Sequence, residues 1–290
     1  MTTKTKQQPV VKILVGYHKP AILFKNDVFV PIHLGRALAT AASKDGKIST
    51  DDYQWMLDNM IGDDTGDNIS HLNRYFAEMT AIYWAWKNYD KLGNPDYIGL
   101  AHYRRMFGAD DVKNAINYDI TATANGISAT IEKQWADNHA TDDLDRAIKM
   151  LVKKDKKYAK VADEYVKQTH GYFYNMFIMK KDVFFEYCET LFGILMKIHD
   201  DIDYSSYNAY NQRMPAFVAE RLTGIFVTEK EKKYQVHPVH TITFMCPTLR
   251  ALKQKRISHR LLSWISFGKL RKKQRQCAEN YRDLVTWAVK

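Results

Sequence analysis

Four consecutive residues, His102-Tyr103-Arg104-Arg105, end the otherwise apolar run DYIGLAHYRRMFG at 96–108. Guanidinium forks match phosphate oxygens two at a time, and a diphosphate leaving group develops negative charge that such donors stabilise. In an open α/β sheet, ligands bind beyond the carboxyl ends of the strands. Tyr97 to Ala101 therefore read as a buried strand and the basic residues as its emergent end. The strand period of two assigns His102 and Arg104 to one face, Tyr103 and Arg105 to the other. The architectural alternative puts Arg104 and Arg105 in salt bridges with the acidic stretch 58–67, and makes His102 a hydrogen-bonded core histidine.

Two further polar residues interrupt apolar elements. Asn175 sits inside YFYNMFIM (172–179), and a buried amide there must find partners, either ligand hydroxyls or backbone carbonyls. Glu220 and Arg221 break the apolar helix pattern PAFVAERLTGIF, where a charge must be paired or functional. Glu220 is the candidate catalytic carboxylate, and ion pairs to Arg221 or Arg213 are the alternative.

The elements that must carry these groups are legible. VKILVG (11–16) is a central strand feeding a loop with Tyr17 and His18. Leu72, Tyr75, Phe76, Met79, Ile82, Tyr83 and Trp86 recur at helical spacing through one long helix, with Asp67, Asn68 or Ser70 as its cap. Tyr83, Trp84 and Trp86 read as core, and Glu78 is spaced to pair with Arg74, a functional role being the alternative. A strand is expected over 172–179, with helices over 183–198 and 214–227; 110–170 shows little β signal. The order β, α, β predicts an α/β fold with a mostly parallel sheet and flanking helices.

A hydrophobic share of 46%, with 18 Tyr, 13 Phe and 6 Trp, excludes a disordered or collagen-like chain. Cys188, Cys246 and Cys277 are far apart and odd in number, so a reducing compartment is expected. No leader-like h-region and no run of ~18 apolar residues is present, so neither secretion nor membrane spanning is expected. Of the +10 net charge, the body carries none: 250–290 hold 12 Lys/Arg against two acidic residues, leaving 31 of each sign in the first 249. Residues 1–249 are expected to form one domain and 250–290 a helical basic amphipathic extension. ISHRLLSWISFGKLRKKQRQ interleaves apolar and basic residues like an interfacial helix on anionic lipid. The expected location is cytoplasmic, peripheral on the inner face of the cell membrane. The alternatives are packing on the enzyme's own core, or nucleic acid, for which no motif is present.

VGYHKP, PIHLG, GDNIS, YWAWKN, DYIGLAHYRRMF, YNMFIMKK and AERL together resemble the bacterial family catalogued as domain of unknown function 4422. The resemblance runs from about Val11 to Val239. Members are found among capsular, exopolysaccharide and O-antigen glycosyltransferases and are grouped with the GT-A nucleotide-sugar transferases. It implies a GT-A-like fold and transfer of a hexose, galactose in some ring form being one candidate, from a nucleotide diphosphate such as UDP to a glycan or lipid-linked acceptor. It also implies donor-binding roles for Tyr17 (base stacking), His18, Asp67, Asn68, Ser70, Asn73, His102, Arg104, Arg105 and Asn175. GT-A enzymes place an Asp-x-Asp metal motif where this chain has His102-Tyr103-Arg104. That departure leaves a divalent cation, Mn or Mg, an open question, and no residue is assigned to metal. Asp143-Leu144-Asp145 and Asp201-Ile202-Asp203 read as surface acidity. A non-catalytic nucleotide-sugar-binding subunit of an assembly complex is the competing function; a glycoside hydrolase lacks a convincing carboxylate pair.

Overall fold

The structure, a computed structural model, describes residues 8–39, 42–43, 46–139 and 142–243, together with Leu284 and Trp287. Its strands are β1 Val11–Tyr17, β2 Phe29–His33, β3 Ala42–Ser43, β4 Gly46–Lys47, β5 Ile61–Gly62, β6 Tyr97–His102, β7 Arg105–Met106, β8 Ile120–Gly126, β9 His170–Lys180, β10 Val236–Val239 and β11 Ile242–Thr243. Its helices are α1 Thr50–Asn59, α2 Asn73–Phe76, α3 Met79–Lys87, α4 Ala109–Asn114, α5 Ile131–His139, α6 Asp143–Lys154, α7 Tyr158–Val166, α8 Lys181–Asp201 and α9 Met214–Lys230.

The main sheet has the order β10-β8-β9-β6-β1-β2-β5. Every strand on that path runs the same way except β9, which is antiparallel to both β6 and β8. The expected mostly parallel α/β architecture is the one observed. Reversal of β9 has a functional consequence: its amino end, 170–175, lies at the same edge as the carboxyl ends of β1, β2 and β6.

Both faces of the sheet are covered, which is why β1 is continuously buried from Ile13 onward rather than alternating. Leu14, Ile32, Ile98 and Leu100 pack under α3, α8 and α9. Ile13, Val15, Phe29 and Ala101 face the opposite core with Phe107 and Val239. That second core also contains Leu284, which is fully buried, and Trp287, whose ring lies 5.3 Å from Phe29 and whose carbonyl accepts from Asn26. Two residues of the expected extension thus belong to the domain core. The rest of 250–290, including the interfacial-helix expectation, lies outside the described residues. No helix among the described residues is long and apolar enough to cross a membrane.

The long helix expected over 72–86 is broken. Ala77 adopts φ 45°, ψ −126°, and separates α2 from α3. Periodicity could not reveal this, because the side chains on both sides keep the apolar face. The break is held by polar groups: Asn73 Nδ2 donates to the Ala77 carbonyl at 2.8 Å and to Thr80 Oγ1 at 3.0 Å. β8 was also hidden, since the β-branched Ile120, Thr121 and Thr123 are interleaved with alanines and run into Asn125-Gly126, with no aromatic and, after Ile120, no long apolar side chain to mark a strand.

Candidate active site

The loops at the carboxyl edge are organised by a carboxylate. Asp63, fully buried just after β5, accepts from Gly35 N (2.7 Å), Arg36 N (3.0 Å), Ser70 Oγ (2.5 Å) and Thr80 Oγ1 (2.6 Å). Burial pushes its carboxyl above the usual range while these four donors pull it back. Beside it, His33 is buried and held near a pKa of about 4, first by desolvation and then by the charges of Arg36 and His18. Asp63 carries no signal in the sequence, because it sits in an acidic, turn-rich stretch where any carboxylate reads as solvated.

This hub and its surroundings engage part of the expected donor set in bonds within the protein. Ser70 is buried and committed to Asp63 and the amide of Ala37. Asn68 closes its own turn, with Oδ1 accepting from Ser70 N and Nδ2 donating to Gly66 O. Asp67 accepts from the Tyr83 hydroxyl at 3.1 Å and stays exposed. Asn73 holds the helix break. Tyr17 cannot stack on a nucleobase: it is completely buried, its hydroxyl bonded to Ile22 O and Phe24 N and its ring stacked 5.5 Å from Tyr103. His18 is partly exposed beside the Tyr103 ring and hydroxyl.

The basic end of β6 differs from the expectation in one respect. The strand does not run on; it turns at 103–104 and returns as β7, with His102 opposite Arg105. Directly opposed residues share a face, so His102 is grouped with Arg105 and not with Arg104. Both converge on Tyr174: His102 Nε2 is 2.8 Å from its carbonyl, and the Arg105 guanidinium lies 4.5 Å from its ring centre. Arg104 is exposed, 5.2 Å from the Tyr103 ring. Among the described residues neither guanidinium forms an ion pair, so the acidic stretch 58–67 does not neutralise them.

Tyr174 and Asn175 form a bulge in β9. Between the pairs Ala122–Phe177 and Ala124–Tyr172, one residue of β8, Thr123, faces four of β9, Phe173 to Met176. Tyr174 (φ 72°) and Asn175 (φ 52°) are left-handed there, a conformation that costs of order 1 kcal/mol or more per non-glycine residue and that clusters at working sites. Glu220 pins the bulge: its Oε2 accepts the Tyr174 amide at 2.5 Å while Oε1 pairs with Arg221. The Glu220–Arg221 pair expected as the alternative is therefore formed, and the Glu220 side chain keeps 20% exposure. Asn175 is 2% exposed. It donates to Glu78 Oε1 at 2.8 Å and to the Ala216 carbonyl, and Thr223 approaches its Oδ1. With protein partners on both ends of the amide, Asn175 ties the bulge to Glu78 and α9. Glu78, which turns to Asn175 in place of the expected Arg74, has an Oε2 without a partner among the described residues.

A continuous polar chain thus crosses the edge from Asp63 through Thr80, Asn73 and the Ala77 break to Glu78, Asn175 and α9. One cavity lies away from these groups and another borders the Asp63 hub through Arg36 and Gly62. The first, of about 590 Å³, opens at the opposite edge beside Asp96, Tyr97 and Lys180, where charges are already matched. The second, of about 420 Å³, is also lined by Lys12 and Trp84. The candidate site is a set of side chains converging at the sheet edge.

The residues present do not fit the divalent cation usual in GT-A enzymes. The motif position, His102-Tyr103-Arg104, holds an imidazole, a phenol and a guanidinium, and no group of three His, Cys, Asp or Glu among the described residues is arranged for a metal. The Asp-x-Asp strings are engaged: Asp143 with Arg146 and Tyr207, Asp201 with Arg146 and Lys197, and Asp203 with Ser205 N.

A family model described as "Domain of unknown function (DUF4422)" matches residues 12–232. A solved structure described as the WbbM bifunctional glycosyltransferase, apo, superposes with a TM-score of 0.67 at 26% identity, over 81% of this chain and 45% of that one. The chain thus spans under half the length of that protein. The sheet and its covering helices are GT-A-like. No curated protein matches the chain.

Proposed function

The chain belongs to the family described as Domain of unknown function (DUF4422), and from that premise we propose that it is a glycosyltransferase of polysaccharide synthesis. It moves a hexose from a nucleotide diphosphate, UDP by preference, to a glycan or lipid-linked acceptor. The observation that carries this is the pair of guanidiniums, Arg104 and Arg105, at the carboxyl edge without an ion-pair partner among the described residues. The similarity to a bifunctional glycosyltransferase supports it.

Arg105 approaches the diphosphate from the bulge side and Arg104 from solvent, neutralising the charge that grows on the leaving group. Glu220, although held by Tyr174 and Arg221, has a second lone pair on each oxygen and takes the proton of the acceptor hydroxyl. A second reading gives that task to Glu78, favoured by its Oε2, which has no partner among the described residues. Donor hydrolysis and transfer by purified protein decide among these. Glu220→Gln abolishes turnover and spares UDP binding if Glu220 is the base; Glu78→Gln does so under the second reading. A wild-type protein that binds donor without any turnover is a binding subunit. Excess chelator is expected to leave turnover largely intact, and complete loss restored by manganese would contradict the assignment of charge neutralisation to arginine.

The basic segment of the tail is proposed to hold the enzyme against anionic lipid at the inner face of the cell membrane, each surface charge adding ~1 kcal/mol at low salt. Because Leu284 and Trp287 belong to the core, the test is charge reversal and not truncation. Lys269→Glu with Arg271→Glu, Lys272→Glu and Lys273→Glu releases the full chain from phosphatidylserine vesicles; unchanged sedimentation with vesicles refutes this part.

A further inference from the structure

We propose that Tyr210, Arg213 and Phe217 form a subsite for a pyranose ring of the acceptor glycan. The assignment of the occupant rests on the transferase reading; the surface itself is argued from geometry. Tyr210 is 48% exposed, unlike the great majority of the large apolar side chains, which are buried. Its ring is nevertheless fixed. It lies parallel to His139 (5.7 Å, 5°) and 4.8 Å from Phe217, and the Arg213 guanidinium stands 5.0 Å from Tyr210 and 5.1 Å from Phe217. His139 is itself buried, set by Asn211 Oδ1 at 2.9 Å and by the Trp135 ring at 4.5 Å. A half-exposed aromatic ring held by three neighbours is preorganised, so little ordering entropy opposes binding.

The chemistry suits a sugar. The negative face of an aromatic ring attracts the C–H bonds on the apolar face of a pyranose. Hydroxyl groups at the ring edge need donors and acceptors, which the neighbouring Arg213 and exposed Asn208 offer. Arg213 forms no ion pair among the described residues, so its N–H groups are not consumed by a carboxylate.

The plate is also in the right place. Phe217 precedes Glu220 by three residues and Arg221 by four on α9, so all three share a helix face within ~6 Å of axial rise. The Ala216 carbonyl on the same turn binds Asn175 of the bulge. Arg221 reaches back over Trp135, the neighbour of His139. A ring stacked on Tyr210 thus lies along the helix from the carboxylate proposed to accept its proton.

Saturation-transfer NMR on the full chain tests this with methyl β-D-galactopyranoside, methyl β-D-glucopyranoside and methyl α-D-mannopyranoside. UDP calorimetry on the same samples tests folding and the donor reading separately. Ring-proton transfer from at least one glycoside is expected, falling about five-fold in Tyr210→Ala and kept in Tyr210→Phe, with UDP affinity unchanged in both. The subsite is overturned by absence of transfer from all three glycosides, by equal transfer in Tyr210→Ala, or by loss in Tyr210→Phe. Failure of wild-type protein to bind UDP, with Tyr210-dependent glycoside transfer intact, would instead overturn the donor reading and leave the subsite standing.

Discussion

The two halves of the carboxyl edge are built on opposite principles. Around Asp63, beside β2 and β5, every donor aimed at the carboxylate is matched and the group is sealed from solvent. Around Tyr174, beside β6 and β9, two guanidiniums stand without an ion-pair carboxylate among the described residues, and the backbone holds Ala77, Tyr174 and Asn175 at positive φ. Matched polar groups shape a fold; unmatched charge and stored strain need a ligand or a reaction to account for them. The first half is architecture, and the second is where the proposed chemistry lies.

The largest expected effect falls on the matched half. Asp63→Ala strips the acceptor from four donors and is expected to cost about 4 kcal/mol of stability, read as a lower chemical-denaturation midpoint. A variant as stable as wild type would erase the contrast. The same half should be sensitive to acid. His33 has a folded pKa of about 4, below its ordinary 6.5, so the unfolded chain takes up the proton first as pH falls. Its contribution is complete above about pH 6.5 and is lost progressively down to about pH 4, up to roughly 3 kcal/mol. His33→Gln should flatten that part of the profile relative to wild type.

The unmatched half should behave the other way round. Arg105→Ala is expected to weaken UDP binding about 30-fold, or ~2 kcal/mol, while shifting stability by less than about 0.5 kcal/mol; a stability loss larger than the binding loss would make Arg105 architectural. Smallest is Ala77→Gly, which relieves a backbone conformation only glycine adopts without strain and should stabilise by about 1 kcal/mol. No gain in thermal midpoint would mean that Ala77 stores no strain.

How far the sequence could be read follows the same division. β1, β6, β9, α8 and α9 were legible because burial on one or both faces imposes a simple apolar period. The identity of the basic cluster was legible too, since burial rarely tolerates two adjacent arginines. Its geometry was not. The period-two rule pairs His102 with Arg104, but the chain turns at 103–104 and pairs His102 with Arg105 instead. The break at Ala77 was invisible because Asn73 and Thr80, which hold it, sit at positions equally suited to an unbroken helix. Asn175 was recognised as a buried amide in need of partners, but which partners depended on the β9 bulge, a tertiary feature. Tyr17, expected at a ligand surface, lies one residue too early in its strand and is sealed against Tyr103.

The central claim, that Arg104 and Arg105 hold the pyrophosphoryl group of a nucleotide sugar, is tested most directly by titrating UDP and uridine into wild type and Arg105→Ala by calorimetry. Wild type should prefer UDP strongly, and the preference should shrink in the variant while uridine affinity stays the same. Equal loss of both ligands, or a preference for UDP that survives the substitution intact, would contradict it.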